Sequence, residues 1–285
     1  MTEIIINIPD DIKRDIEDWW PNRRERLRRF KTPDEFVGFY VKKISTLCEK
    51  AIQNSELNVQ QVELTPKKID SDPLEFCAAK YCFHKSDNRK VAILLNFYYS
   101  LHSCLVSPSE LKTTILHELY HHKDRWFLGY ERAVLDKVGN IYIFNDEGHP
   151  IVDFLSFGIK YLLNVRTEGF ATFCSTHPKI SKQTLRHQTN NVKRLFEYLE
   201  SHEVDYKEFL KYRKSVSSYD QGEAVFYLLN LAKRDIEQIK MLPLNDFFDV
   251  FYKSLNALGL EEKYSIIPEH LARPYLSCLK IVYKF

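Results

Sequence analysis

The chain has 285 residues, of which 44% are hydrophobic, and a formal net charge of +2 at pH 7. This length allows one large domain or a small and a medium one, and the near-neutral charge excludes a general electrostatic attraction to nucleic acid or acidic surfaces. The sequence shows neither a signal-peptide pattern at its start nor an apolar run of membrane-spanning length, so we expect a cytoplasmic protein with no membrane partner.

The first part of the chain predicts a strand followed by two helices. Ile4–Ile8 has the pattern of a short strand. The next residues predict a helix to about Trp20, where Pro21 ends it. Thr32–Glu35 combines an N-cap, a proline at the first helical position and a capping-box glutamate, which predicts a second helix to about Ile52.

The rest of the chain predicts strands first and helices later. Strand patterns lie near 58–64, 74–83 and 90–100, before a helix over 108–127. A hairpin is predicted for 140–152 around Glu147 and Gly148, and the pattern after 153 is helical up to a short strand at 278–284. This order predicts an α+β fold with a small antiparallel or mixed sheet and a mostly helical C-terminal half. We assign 1–52 to a small strand–helix–helix unit and 53–285 to a second domain.

The most informative motif is a single HExxH pattern at His117–His121. Residues four apart on a helix share a face, so His117 and His121 can bind one metal ion. Glu118 lies about 100° around the helix, where it can reach a metal-bound water and act as a general base. Ser107–Glu110 has the cap and proline pattern of a helix start, which predicts the motif to lie inside a helix. The alternative is a polar helix face with solvated histidines.

A third ligand is predicted at Glu168. It is the only carboxylate in the mostly apolar, helically spaced stretch 154–174. An acid in a largely buried helix is costly unless it is paired or binds a metal ion. Three small neighbours would let a facing helix approach closely: Gly169, Ala171 and Thr172. The alternative is that Glu168 pairs with Arg166 or with a surface lysine.

Other side chains compete for roles around this centre. Asp124 shares the helix face of His117 and His121, so it could bind the metal ion or accept a hydrogen bond from a histidine ring, and we prefer the second role. His122 is rotated off that face and is expected to be structural or solvent-facing. Two fallback ligands have less helical support: Glu223 and His177.

The HExxH residues, followed by Glu168 in a Glu-Gly-x-Ala sequence, resemble the gluzincin class of zinc metallopeptidases. The resemblance covers roughly residues 90–230. It implies a zincin-like domain in which zinc is bound by His117, His121 and Glu168, and a peptide or protein substrate. In gluzincins an edge strand near the site pairs with extended substrate, and we assign that role to the strand at 90–100.

Gluzincins also supply a late Tyr or His that stabilises charge in the transition state. Ser218–Phe226 predicts a helix start with Tyr219 and Gly222 on one face, and it resembles a Tyr-x-x-Gly helix of related peptidases. We therefore predict Tyr219 as the donor, with a packing role as the alternative. His187 and His270 are the other candidates.

The N-terminal residues carry a second resemblance. Ile4–Ile12 and Arg29–Val37 resemble the strand–helix–helix unit of ribbon-helix-helix proteins, intertwined dimers whose paired strands enter the DNA major groove. Arg23–Lys31 holds six basic residues and one acid, which suits phosphate contacts. The outward strand positions offer little for reading bases, so nucleic-acid binding through 1–52 is open but not favoured. A homodimer is left open as well.

Two functions of different classes follow. The leading one is a zinc-dependent metallopeptidase with Glu118 as general base. The alternative is a DNA-associated regulatory protein whose peptidase-like domain senses or processes a partner, or is inactive. Metal content and hydrolysis of an unfolded protein, beside a salt-dependent DNA-binding assay, discriminate between them.

Overall fold

The computed structural model describes residues 2–22, 25–69, 77–82, 89–138, 142–144, 150–176, 182–201, 209, 218–264 and 267–282. The chain forms two compact units, Met1–Lys123 and Asp124–Phe285. The strand and helices predicted for 1–52 thus belong to the same unit as the HExxH motif.

The first unit combines a four-stranded sheet with four helices among its described residues. Its elements are β1 (Glu3–Ile6), α1 (Asp10–Trp19), α2 (Pro33–Ser55), β2 (Gln61–Lys67), β3 (Ala79–Cys82), β4 (Lys90–Asn96), α3 (Phe97–Val106) and α4 (Pro108–Lys123), with short 3-10 helices at Trp20–Asn22 and Glu25–Leu27. The strand order is β1-β2-β4-β3; β1, β2 and β4 are parallel, and β3 is antiparallel to β4. The predicted mixed sheet is confirmed.

Alternating side chains explain why the central strands form. Val62 and Leu64 of β2, and Val91 and Ile93 of β4, are buried, while the residues between them are only partly covered. This period of two buries one face of the sheet. Within the same unit α2 packs against α4, which covers the apolar side of the motif helix.

Strand β1 finds its pairing partner within the same chain. Glu3–Ile6 pairs in parallel with Gln61–Leu64 of the same chain, and Thr2 Oγ1 donates a hydrogen bond to the Val59 carbonyl at 2.8 Å. Since a strand this short needs a partner, β2 supplies it without a second copy. The strand therefore extends the sheet that carries β4.

The prediction for the strand at 90–100 is wrong in the extent of the strand and in its role as an edge strand. The strand ends at Asn96, whose side chain accepts a hydrogen bond from the Tyr99 N–H at 3.3 Å and caps α3, a helix that the prediction missed. In addition, β4 lies between β2 and β3, so both of its edges are paired. Among the strands that the structure describes, β3 and not β4 forms the edge of the sheet on this side.

The predicted helix starts are confirmed. Helix α2 begins at Pro33, with the Glu35 N–H donating to Thr32 Oγ1 at 3.1 Å, and α4 begins at Pro108. The predicted end of the motif helix is wrong. Helix α4 stops at Lys123, and a new helix starts at Arg125, so Asp124 stands at the break.

The second unit is mostly helical. Its described elements are α5 (Arg125–Val138), β5 (Tyr142–Phe144), β6 (Pro150–Val152), α6 (Phe154–Thr176), α7 (Lys182–Ser201), α8 (Ser218–Leu231), α9 (Ile236–Ile239), α10 (Leu244–Ala257), α11 (Glu261–Tyr264) and α12 (Glu269–Val282). Strands β5 and β6 pair antiparallel, which confirms the hairpin. Its turn, with Glu147 and Gly148, lies outside the described residues.

The C-terminal strand predicted at 278–284 is wrong over its described part. Residues 278–282 belong to α12, a helix that begins at Glu269. Its large buried side chains follow a helical rather than an alternating pattern: Leu271, Tyr275, Leu276 and Leu279. Spacings of three and four place these side chains on one face of a helix.

Helices α6 and α8 of the second unit pack closely where two glycines face each other. A Cβ built on Gly222 would lie 2.6 Å from the Gly169 nitrogen, and one built on Gly169 would lie 2.6 Å from the Gly222 carbonyl oxygen. Only glycine at both positions permits this approach, as the small residues beside Glu168 predicted.

Among the described residues, no helix combines the length and apolar character needed to cross a membrane.

Candidate metal centre

The two motif histidines of helix α4 lie with their ring nitrogens close together. The Nε2 atoms of His117 and His121 are 3.0 Å apart, and their ring planes are nearly perpendicular. Two nitrogens bound to one zinc ion at about 2.0–2.1 Å each would be separated by about 3.3 Å. The imidazoles therefore have nearly the arrangement that a shared metal ion requires.

The fold holds these histidines on a rigid support. Leu111, Ile115 and Leu119 are fully buried along the apolar side of α4, and His121 is itself buried. His121 lies in the last turn of the helix, where the exposed carbonyl ends favour positive charge. The local field thus suits a cation.

Glu118 is oriented by the edge strand. Its side chain is only 6% exposed, and its Oε2 atom accepts a hydrogen bond from the Tyr81 backbone N–H at 2.7 Å. A buried carboxylate needs such a donor because burial without one is costly. This contact places one oxygen of the predicted base in a defined position.

Tyr81 also contacts the motif helix through its side chain. Its hydroxyl lies 3.0 Å from His122 Nδ1, and the two rings meet edge to face. His122 is buried. Of the two expectations for this histidine, the structural role is confirmed and the solvent-facing one is wrong.

Helix α6 carries Glu168 between residues that are tied down. Two residues before it, Arg166 is completely buried, and one residue before it, Thr167 Oγ1 donates a hydrogen bond to Glu131 Oε2 at 3.0 Å. Glu168 itself is half-buried. The backbone around it is therefore well anchored.

Arg166 binds a different acid from the one considered in the sequence. Its Nη1 and Nη2 atoms donate to the two Asp124 carboxylate oxygens at 2.5 and 2.9 Å, and Nη2 also donates to the Lys240 carbonyl. The guanidinium lies 4.0 Å from the centre of the Phe127 ring. The predicted role of Asp124 beside a histidine ring stays a prediction, but its carboxylate is firmly held.

Among the described residues, His117, His121 and Glu168 form a group whose potential ligand atoms all lie within 4.8 Å of one another. Two imidazole nitrogens and one carboxylate oxygen form the His₂Glu set of some catalytic zinc sites, which leave a fourth position for water. The donor chemistry therefore fits a zinc ion. The motif and the lone acid of 154–174 predicted the same three residues, and their role as metal ligands stays a prediction.

The remaining candidates have less support. Tyr219 is 46% exposed in the first turn of α8, and its role as donor stays a prediction. Glu223 is half-buried on the same helix. Burial and the nearby Asp220 charge raise the pKa of its carboxyl, and a hydrogen bond with Thr176 lowers it by less. His270 is exposed on α12. His177 and the His187 side chain lie outside the described residues.

The sequence analysis did not predict the contacts made by two residues of this region, Arg166 and Tyr81. An arginine inside the apolar stretch 154–174 is as unusual as Glu168, and it could have indicated a buried partner for Arg166. Nothing in the sequence marks Tyr81, because the contact to Glu118 is made by its backbone.

Comparison with known proteins adds no family. No protein-family model matches the chain, and neither the curated proteins nor the solved structures include a significant match. Inferences about function therefore rest on the residues and their geometry.

Proposed function

We propose that this protein is a zinc-dependent metallopeptidase with a zincin-like fold. His117, His121 and Glu168 bind the zinc ion, and Glu118 is the general base. The observation that carries the proposal is the 3.0 Å separation of the two histidine Nε2 atoms on α4, with Glu118 adjacent to one of them. The clustering of Glu168 with the two histidines supports it.

The ligand set determines what chemistry the centre has. A bound zinc ion supplies a Lewis acid that activates water and polarises a peptide carbonyl. His117 and His121 would bind the ion through Nε2, and metal binding would require both rings to be unprotonated at these atoms. Glu168 contributes negative charge that partly offsets the charge of the ion.

Glu118 moves the protons of the reaction. Its carboxylate takes a proton from the attacking water and later delivers it to the leaving amine. Burial shields it from bulk water, and its Oε2 atom accepts a hydrogen bond from the Tyr81 N–H. We propose Tyr219 as the donor to the oxyanion, following the resemblance to the Tyr-x-x-Gly helix.

The decisive experiment combines metal analysis with hydrolysis. Purified protein is analysed for zinc by mass spectrometry and by anomalous scattering at the zinc edge, and an unfolded, labelled protein is offered as substrate. We expect one zinc per chain and hydrolysis that a chelator stops and zinc restores. A chain that takes up no zinc contradicts the proposed centre.

The Glu118→Gln variant isolates the base. The amide is nearly isosteric but cannot accept the water proton, so hydrolysis should be lost while zinc stoichiometry is kept. Exposed His102 on α3 supplies a control: His102→Gln should keep both zinc and hydrolysis. Full activity in Glu118→Gln would remove this residue from the mechanism, and loss of zinc would make it a ligand.

A further inference from the structure

The edge strand β3 has two kinds of backbone N–H group. The Asn96 N–H donates to the Ala78 carbonyl at 2.9 Å, so this pair exchanges hydrogen bonds across β3 and β4. In an antiparallel ladder such pairs alternate with pairs that do not exchange hydrogen bonds. Tyr81 pairs with Ile93 three residues further on, which puts it in the second kind.

The Tyr81 N–H therefore points away from β4. It meets Glu118 Oε2 on α4 at 2.7 Å. The same residue contacts α4 a second time, through its hydroxyl and His122 Nδ1 at 3.0 Å. Glu118 and His122 are four apart on α4, so Tyr81 fixes the strand to one turn of the motif helix.

We propose that the Tyr81 backbone N–H is a positioning group for the general base. It holds Oε2 of Glu118, which selects one orientation of the carboxylate and leaves the other oxygen to face the attacking water. The inference rests on the proposed peptidase function, and it assigns a catalytic contribution to a strand that bears none of the motif residues.

The chemistry of the contact explains why it matters. A carboxylate that takes part in proton transfer must be held in hydrogen-bond reach of the water, because a displaced base loses most of its effect. The peptide N–H is a rigid donor, since its direction is set by the strand. A hydrogen bond to a charged group is also stronger than one between neutral groups.

The test uses proline at position 81. Proline removes the N–H and is tolerated on an edge strand where that N–H takes no part in the ladder. Tyr81→Pro is compared with Tyr81→Ala, which keeps the N–H and removes the same ring. Ala79→Pro is the control for proline itself, because Ala79 has the same outward-facing place in the ladder.

We expect kcat of Tyr81→Pro to lie roughly ten- to a hundredfold below that of Tyr81→Ala, as for the loss of a hydrogen bond to a charged group, with KM and zinc content nearly unchanged. Ala79→Pro should keep the kcat of the unmodified protein. Equal kcat in Tyr81→Pro and Tyr81→Ala overturns the proposal. A higher kcat in Tyr81→Pro also overturns it, since the contact would then restrain the base.

A second measurement needs neither activity nor a folded proline variant. Amide hydrogen exchange at Tyr81 should be slow in the unmodified protein and at least about tenfold faster in Glu118→Ala, because the acceptor is gone. Fast exchange in the unmodified protein overturns the proposal. Slow exchange in a protein that binds no zinc and hydrolyses nothing would instead contradict the proposed function while leaving the contact established.

Discussion

Asp124 and Arg166 form a buried ion pair in which both carboxylate oxygens accept hydrogen bonds from the guanidinium. The Asp124 side chain is 2% exposed and the Arg166 side chain is 0% exposed. Asp124 stands three residues after His121, and Arg166 stands two residues before Glu168. The pair thus joins the chain just beyond one proposed ligand to the chain just before another.

Removing one partner of this pair should be far more harmful than removing both. Asp124→Leu or Arg166→Met alone leaves a buried charge without its partner, and each should lower the free energy of unfolding by about 3–5 kcal/mol. The double variant removes both charges and should recover most of that loss. Urea denaturation of the three variants at neutral pH measures the coupling.

The same double variant tests whether Asp124 supports the metal centre. The double variant should regain stability but lacks the two hydrogen bonds between Asp124 and Arg166. Its zinc affinity should therefore fall by about 10–100-fold, the usual loss when a group that orients a metal ligand is removed. Arg273→Met is the control, because Arg273 pairs with Asp249 and Glu269 on partly exposed helices of the same unit. It should leave zinc affinity unchanged. Unchanged affinity in the double variant would make the pair purely structural.

The proposed ligands should differ sharply from nearby histidines in their effect on zinc binding. Zinc binding should weaken by more than about a hundredfold in each of three variants, His117→Ala, His121→Ala and Glu168→Ala. This loss of affinity is larger than the loss expected for a residue that only orients a metal ligand. Zinc in excess stabilises a folded protein by about 4 kcal/mol at a thousand times its Kd. Melting with zinc and with a chelator should therefore show a gap that each variant reduces to the equivalent of about 1.4 kcal/mol or less.

Two controls separate ligand loss from general damage. His102→Ala, at an exposed position of α3, should keep the full gap. His122→Ala removes a buried histidine that contacts Tyr81 instead of a proposed ligand, so it should lower the melting temperature but keep the gap. If Glu168→Ala kept the gap while both histidine variants lost it, the third ligand would have to be sought elsewhere, first at Glu223.

Much of the local structure around the candidate site could be predicted, because it depends on neighbours in sequence. Thr32 and Pro108 mark helix starts through capping and the fixed φ of proline, and Glu168 is conspicuous as a lone acid among apolar residues. The interior place of β4 could not be predicted. Strand order depends on long-range pairing, and a buried central strand and an edge strand can share the same apolar pattern.

The contacts that were missed have a physical reason in common. The break at Asp124 coincides with a tertiary contact, in which its carboxylate binds Arg166, 42 residues away. The hold on Glu118 comes from a peptide N–H, 37 residues away, that every residue except proline possesses. Neither depends on a side-chain pattern near the motif.

The glycine contact between α6 and α8 should be intolerant of a single methyl group. A Cβ at Gly222 would lie 2.6 Å from the Gly169 backbone nitrogen, which cannot rotate away. Gly222→Ala should therefore lower the free energy of unfolding by about 1–3 kcal/mol, as for other overpacked sites. The midpoint of urea denaturation reports the change.

Gly38, inside α2, is the matched control for this substitution. A Cβ there would meet nothing within 4 Å. Gly38→Ala should stabilise the protein by about 0.4–1 kcal/mol, because alanine restricts the unfolded chain and favours helix. If Gly222→Ala were equally stabilising, the two helices would not pack as closely as their glycines indicate.

The last prediction concerns residues 1–52, which the sequence analysis assigned to a strand–helix–helix unit of their own. In the structure β1 pairs with β2, and α2 packs against α4 with buried side chains that include Phe36, Tyr40 and Ile44. Tyr40 also shares a buried hydrogen bond with Ser100 of α3 at 2.6 Å.

Deleting 1–52 would expose one edge of β2 and the apolar side of the motif helix, so we expect the truncated chain to aggregate or to lack cooperative melting. Deleting only 1–8 removes β1 but keeps α2, and it should give a folded, less stable protein. Circular dichroism and light scattering distinguish these outcomes. A chain without 1–52 that stayed monomeric, folded and able to bind zinc would show that the segment is separable after all, because the packing of α2 on α4 would then contribute little to the stability of the metal centre.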